Sequence, residues 1–278
     1  MKLWKNISGS RLKKNRSYSR LFYCGGVAVS SDFLVNRPAK GLFVCGTGTD
    51  VGKTYVSCTI AKTLVAQNLS VGAYKPVASG ATLENGRVFA ADAVELLRAA
   101  DCDDLSAVCP QVFAAPLAPP VAARMESRVV DNQLLRSGLA NWTERCDFVV
   151  VEGVGGLLSP VSDDAFTITL AKEFGYPIIL VAADQLGVIN HVLTALCVCA
   201  AYAPDVPVAG IVLNQVTPDS DISSASNAGE IRRFSDVPVL GQVGWQSPAP
   251  LESIDWQSIA DDRLADDRLA DDRLADDR

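Results

Sequence analysis

Six short apolar runs limit what this chain can fold into: Leu42–Cys45, Val71–Lys75, Phe148–Val151, Pro177–Ala183, Val208–Leu213 and Val237–Leu240. They lack the strict polar alternation of a half-solvated strand, so both of their sides are expected to be buried. Helical patterns fall between them. Val56, Ile60, Leu64 and Val65 share one face after the first run, and Asp92–Ala100 reads as a helix after the second. Further helices are expected over His191–Tyr202 and near Glu230–Phe234. Buried strands alternating with helices mean an α/β fold, a parallel sheet with helices on both faces, here in a single domain. Such sheets bind ligands at the carboxyl ends of their strands.

The first run leads into Gly46-Thr-Gly-Thr-Asp-Val-Gly52-Lys53-Thr54 and then a helical pattern. Glycines let backbone N–H groups curl around phosphate oxygens, and a helix N-terminus adds favourable partial charge. Five residues separate Gly46 from Gly52, against four in the usual phosphate loop. The sheet is therefore expected to be P-loop NTPase-like, with ATP cradled by Asp50, Val51, Gly52, Lys53, Thr54 and Tyr55. Lys53 would reach the terminal phosphates, and the Thr54 hydroxyl would meet Mg²⁺.

Two other strand ends carry charge. Lys75 closes the second run and is followed by Pro76, which stiffens the backbone there. A second cation at this edge could stabilise charge during phosphoryl transfer. Glu152 follows the third run, and Gly153, Gly155 and Gly156 after it permit close ligand approach. Mg²⁺ takes few protein oxygens alongside phosphates and water, so Thr54, Asp92 and Glu152 form the candidate metal set. Asp92 also suits the first turn of a helix, where the dipole favours an acid.

Charge is unevenly spread. Residues 1–40 hold nine Lys/Arg and one acid; residues 260–278 hold eight Asp and four Arg in a Leu-Ala-Asp-Asp-Arg repeat. The chain totals −7, so the body over 41–259 carries −11, which does not suit a nucleic-acid partner. The basic segment resembles an organelle transit peptide, or is a disordered leader. A five-residue period places its leucines on no common helix face, so the tail is expected to be disordered. Eight cysteines form no Cys-x-x-Cys pair and His191 is the single histidine, which argues against zinc. The cysteines mostly sit in apolar runs, as small hydrophobes of a reducing compartment. No apolar run reaches the ~18 residues of a membrane span. A cytoplasmic location is expected, or a mitochondrial or plastid one if residues 1–40 direct import.

The long phosphate loop, Ala73-Tyr-Lys75-Pro-Val-Ala-Ser79-Gly80, Val151-Glu152-Gly-Val-Gly-Gly156 and Leu186-Gly-Val-Ile-Asn-His191 together resemble dethiobiotin synthetase, in order and in spacing. The resemblance runs from about Gly41 to about Trp245. It implies a homodimeric cyclo-ligase that uses ATP and Mg²⁺ to close 7,8-diaminononanoate and CO₂ into a cyclic urea. The route passes through a carbamate and a carbamic–phosphoric anhydride. By the same resemblance Lys53 and Lys75 are catalytic, and Ser79, Thr49, Gly187 and Asn190 meet the diamine, the last two near the dimer interface. Asn214 would read adenine. The family commonly carries an acid where this chain has Gly48, and Glu where it has Asp50. His191, at the start of an apolar helix, suits capping or packing.

Two other readings share the phosphate loop. A ParA/MinD-like ATPase switch uses a lysine early in the loop, where this chain has Thr47–Val51 without one. A cobyrinate-type amidoligase usually adds a glutamine-hydrolysing domain, for which the residues after Trp245 leave no room.

Overall fold

The computed structural model describes residues 35–84, 87–247 and 249–261. Most of the expected leader and tail lies outside these. The leader's last residues, from 35 to 40, lie against the domain. The Arg37 guanidinium stacks 4.4 Å over the Tyr176 ring, the Tyr176 hydroxyl donates to Pro38 O at 2.7 Å, and Lys40 pairs with Asp261 at 2.8 Å.

In chain order the elements are β1 (Gly41–Gly46), α1 (Lys53–Ala66), β2 (Val71–Tyr74), β3 (Thr82–Glu84), β4 (Arg87–Phe89), α2 (Ala91–Ala99), α3 (Leu105–Val108), α4 (Pro119–Met125) and α5 (Leu134–Ser137). A 3₁₀ turn over Gly138–Trp142 leads to β5 (Phe148–Gly156). Then come α6 (Thr167–Phe174), β6 (Ile178–Ala183), α7 (Val188–Tyr202), β7 (Val208–Asn214), α8 (Ser224–Phe234), β8 (Val239–Val243), α9 (Ala249–Glu252) and α10 (Trp256–Asp261).

Six strands pair in the order β2-β5-β1-β6-β7-β8, every neighbouring pair parallel; β3 and β4 form a separate antiparallel hairpin. The chain crosses from β1 to β2 in one direction, and from β5 through β6 and β7 to β8 in the other. Right-handed crossovers then send the helices of the two halves to opposite faces. α1 packs with α2 and α9, while α6, α7 and α8 pack in series. The direction reverses at β1 and β6, so their carboxyl ends open the crevice in which such sheets bind ligands.

β1 and β2 are buried at every position, as are the first six residues of β5 and the first five of β6. Each fully buried Val, Leu or Ile is worth about 1.5–3 kcal/mol of transfer free energy. The apolar runs are thus the centre of the core.

Several boundaries differ from the sequence reading, among them the start of α8 at Ser224, ahead of the expected Glu230. The third run was expected to end at Glu152-Gly153, but β5 continues to Gly156, because its glycines pair with β1 at Gly46↔Gly156. α7 begins at Val188, ahead of the expected His191 start, with Gly187 capping it at φ 97°. The last strand is Val239–Val243, shifted from Val237–Leu240 by its register on β7. The hairpin and the short helices between residues 105 and 142 have too little periodicity to be read from sequence.

Candidate active site

β1 ends at Gly46, and the loop after it turns back into α1. Asp50 takes a left-handed φ of 56° and Gly52 one of 87°. A Cβ at Gly52 would lie 2.0 Å from Asn214 Nδ2, so only glycine fits this close approach. α1 has no side-chain cap, which leaves its first N–H groups available for an anion. Lys53 is 8% exposed, and its Nζ reaches back to Gly48 O at 3.1 Å, across the loop. Burial pulls its ammonium below the ordinary lysine range; Glu152 opposes this and Lys75 adds to it.

The second charge cluster draws on two strands and two helices. Lys75, just past β2, donates to Glu152 Oε1 on β5 at 2.6 Å and pairs with Asp92 Oδ2, in the first turn of α2, at 2.7 Å. The Thr54 hydroxyl, in the first turn of α1, donates to the same Glu152 oxygen at 3.0 Å. Glu152 is fully buried, and its Oε2 has no hydrogen-bond partner among the described residues. Burial lowers the Lys75 value, but Glu152 and Asp92 outweigh it and leave the ammonium above the ordinary lysine range.

These oxygens fit a hard cation. A hydroxyl, two carboxylates and one buried oxygen without a partner are the donor types that Mg²⁺ takes beside phosphates and water. Among the described residues no group of three or more His, Cys, Asp or Glu could hold a metal. A magnesium site of this kind needs only two acids.

A cleft of about 460 Å³ opens beside the loop. Thr47, Gly48 and Thr49 form one wall, Leu157, Leu158 and Pro160 a second, and Asn190, His191 and Thr194 of α7 the third. Thr49 and Asn190, both expected at the substrate, line it together. His191, expected to cap or pack, is instead exposed in the first turn of α7 and faces the cleft.

Other expected residues stand elsewhere. Ser79 is half-buried beyond Lys75, beside Ala78, which bridges to Val112; it is not among the residues lining the cleft. Gly187 is the left-handed cap of α7 rather than a cleft wall. Tyr55 follows Thr54 in the first turn of α1, and its phenol oxygen has no hydrogen-bond partner among the described residues. Asn214 is buried, and its Nδ2 donates to Val51 O at 3.1 Å.

Sequence reasoning missed two features. The Ser159 hydroxyl accepts from Gly156 N at 2.9 Å and lines the cleft; nothing marks this serine beyond its place after Gly155-Gly156. Asp184, one residue past β6, is buried and receives Asn227 Nδ2 at 2.7 Å and Gln242 Nε2 at 3.0 Å. An acid at a strand's carboxyl end was the signal, the same one that singled out Glu152.

Comparison with known proteins shows the family. The AAA-domain family model AAA_26 matches residues 40–250. The ATP-dependent dethiobiotin synthetase BioD of Rhodopirellula baltica is 40% identical over 213 residues, 72% of this chain and 82% of that protein. The BioD proteins of Anaeromyxobacter sp. strain K and Anoxybacillus flavithermus are 40% and 34% identical, over 74% and 78% of this chain and 91% and 97% of theirs. Among solved structures, the septum site-determining protein MinD of Pyrococcus horikoshii is a distant likeness, with a TM-score of 0.40 and 14% identity over 74% of this chain and 81% of that one.

Proposed function

The chain belongs to the dethiobiotin synthetase family and is an ATP-dependent ligase forming carbon–nitrogen bonds; we propose that it closes 7,8-diaminononanoate and CO₂ into dethiobiotin through a carbamate. One amine of the diamine adds CO₂ and loses a proton. A carbamate oxygen then takes the γ-phosphoryl group of ATP, giving a carbamic–phosphoric anhydride and ADP. The second amine attacks the carbonyl carbon and gives up a proton, the ring closes and the phosphate leaves, carrying the C–O bonding pair.

The observation that carries this reading is the convergence of Lys53, Lys75, Thr54, Asp92 and Glu152 at the carboxyl ends of parallel strands, next to a cleft without a charged wall. Phosphoryl transfer asks little of a protein beyond positioning and charge stabilisation. The loop N–H groups and Lys53 would hold the β- and γ-phosphates, and Lys75 would meet the charge that develops on the transferred group and the carbamate. Thr54, Asp92 and Glu152 would hold Mg²⁺, which when bound neutralises phosphate charge and orients the γ-phosphoryl group. Thr49, Asn190 and Ser79 are the proposed diamine contacts, with Gly187 shaping the helix start beside them. Asn214 is the proposed base contact. One amide hydrogen is committed to Val51 O and a second remains.

Two further parts of the reading have support. α7 contains no Asp, Glu, Lys or Arg, yet exposes Asn190, His191, Thr194 and Cys197. Leu186 ahead of it is 81% exposed. A charge-free exposed face is what a second copy of the chain would cover, which supports a homodimer. Seven free cysteines among the described residues support a reducing compartment such as the cytoplasm. No helix among those residues is long and apolar enough to cross a membrane.

The test is phosphate release by the full chain from ATP and Mg²⁺ with bicarbonate, with and without 7,8-diaminononanoate, and with mass detection of product. Release that requires the diamine, with the cyclic urea appearing, is expected. Release indifferent to the diamine would move the chain to the ATPase-switch reading.

A further inference from the structure

The two carboxylates assigned to the metal are also the partners of Lys75. Its Nζ stands 2.6 Å from Glu152 Oε1 and 2.7 Å from Asp92 Oδ2. Thr54, the third metal candidate, donates to that same Glu152 oxygen at 3.0 Å. The ammonium is therefore seated on both of the carboxylates a divalent ion would need, with only Glu152 Oε2 left without a partner. It supplies three donors and no acceptor, so it can satisfy these carboxylates while they are without another cation. It cannot keep both contacts once an ion binds the same two carboxylates, because two cations a few ångströms apart repel strongly in a dry site.

The backbone behind Lys75 is fixed while its side chain is not. Lys75 N donates to Val108 O at 2.7 Å, and Pro76 follows. Any movement of the ammonium is thus a swing of the flexible four-carbon stem. The cluster is almost closed to water, with the Lys75 and Glu152 side chains at 5% and 0% exposure; only Asp92, at 36%, opens outwards. An ion would enter from the Asp92 side.

We propose that Lys75 is the resident counter-ion of the Asp92–Glu152 pair, that the divalent ion arriving with the nucleotide competes with it for both carboxylates, and that this displacement delivers the ammonium to the reacting oxygens. Lys75 then couples nucleotide loading to assembly of the site. Without nucleotide the lysine masks the acids, metal binds weakly, and the carbamate finds no free ammonium. The phosphates add the ligands and negative charge that tip the exchange. This rests on the metal reading of Thr54, Asp92 and Glu152.

The test is Mn²⁺ binding to the full chain without nucleotide, read from the free-ion electron paramagnetic resonance signal, with folding checked by circular dichroism. Lys75→Met is expected to bind Mn²⁺ tighter than the unaltered chain, on the order of tenfold or more, since a neighbouring positive charge is removed. Lys75→Arg, which keeps the charge, is expected to bind no tighter. If Lys75→Met does not fold, Lys75→Gln keeps a polar partner for the acids and is read in the same way. Unchanged or weaker Mn²⁺ binding in the neutral variants would overturn the competition. Asp92→Asn and Glu152→Gln, measured with ATP present, separate the two layers. If neither weakens nucleotide-dependent Mn²⁺ binding, the metal reading itself fails. If both do while the lysine variants show no tightening, only the competition fails. ¹⁵N-lysine spectra of the unaltered chain decide without a variant. The protected Lys75 ammonium signal, assigned by its loss in Lys75→Arg, should move when Mg²⁺ is added to the ADP complex, and a signal indifferent to Mg²⁺ would sink the proposal.

Discussion

Lys75 and Glu152 are 77 residues apart in sequence and meet in the driest part of the site. Removing one member of a buried ion pair leaves the other charge uncompensated, at a cost of about 3–5 kcal/mol. Lys75→Ala should therefore lose stability by that amount in urea denaturation as well as lose turnover. Its ammonium lies above the ordinary lysine range, so this contribution is complete at any pH below that range and is lost only as pH climbs beyond it, through the raised value of the folded chain. In the unaltered chain, denaturation midpoints should accordingly show loss of this contribution only on the alkaline side of the ordinary lysine range. The thiols behave differently. Burial raises Cys58 and Cys109 to about 12, and Cys146 and Cys199 to about 11, so little thiolate exists to react. Cys197 is exposed. Cys197 lies on the α7 face that a second copy would cover, so iodoacetamide labelling of the folded chain, mapped by mass spectrometry, should mark Cys197 ahead of the other described cysteines in the monomer and spare it in the dimer; unfolding should level them.

At the scale of elements, the phosphate loop is held from outside its own sequence. Asn214, at the end of β7, donates to Val51 O and lies against Gly52, which leaves no room for a side chain there. Asn214→Ala should raise KM for ATP about tenfold, since a hydrogen bond of this kind is worth about 0.5–1.5 kcal/mol and the loop loses its packing as well. A clamp on the loop predicts the same loss with GTP. A loss confined to ATP would assign the residue to the base alone. The phosphate loop itself was legible, because a strand, a glycine turn and an amphipathic helix are local patterns. Asn214 as its clamp was not, because the contact spans 163 residues.

The whole molecule extends past the region of family resemblance. Trp256 in α10 and Leu251 in α9 are fully buried, and the Trp256 indole donates to Leu251 O at 3.1 Å. α9 packs on α1, the helix that carries Lys53 and Thr54. Trp256→Ala should cost about 3–5 kcal/mol in denaturation. It should also loosen nucleotide binding, measured as a higher Kd for ATP, because α1 loses support on that side. The short helices after Trp245 had too little pattern to be drawn from sequence, and their anchoring depends on which face of α1 they meet.

The sequence by itself determined the sheet, the phosphate loop and the family. Continuous apolar runs, glycine spacing and motif order are properties of neighbouring residues, and a parallel sheet follows from them. It also marked Lys53, Lys75, Asp92 and Glu152, because charged residues beside buried strands have few other reasons to be there. Tertiary structure decided what those residues do to one another. Strand order brings β2 beside β5, so Lys75 reaches Glu152, and the swing of the hairpin into α2 adds Asp92. It gave Gly187 to a helix cap and set His191 on a cleft wall. Side-chain direction depends on where each helix begins and what packs against it, and neither is written in the local pattern.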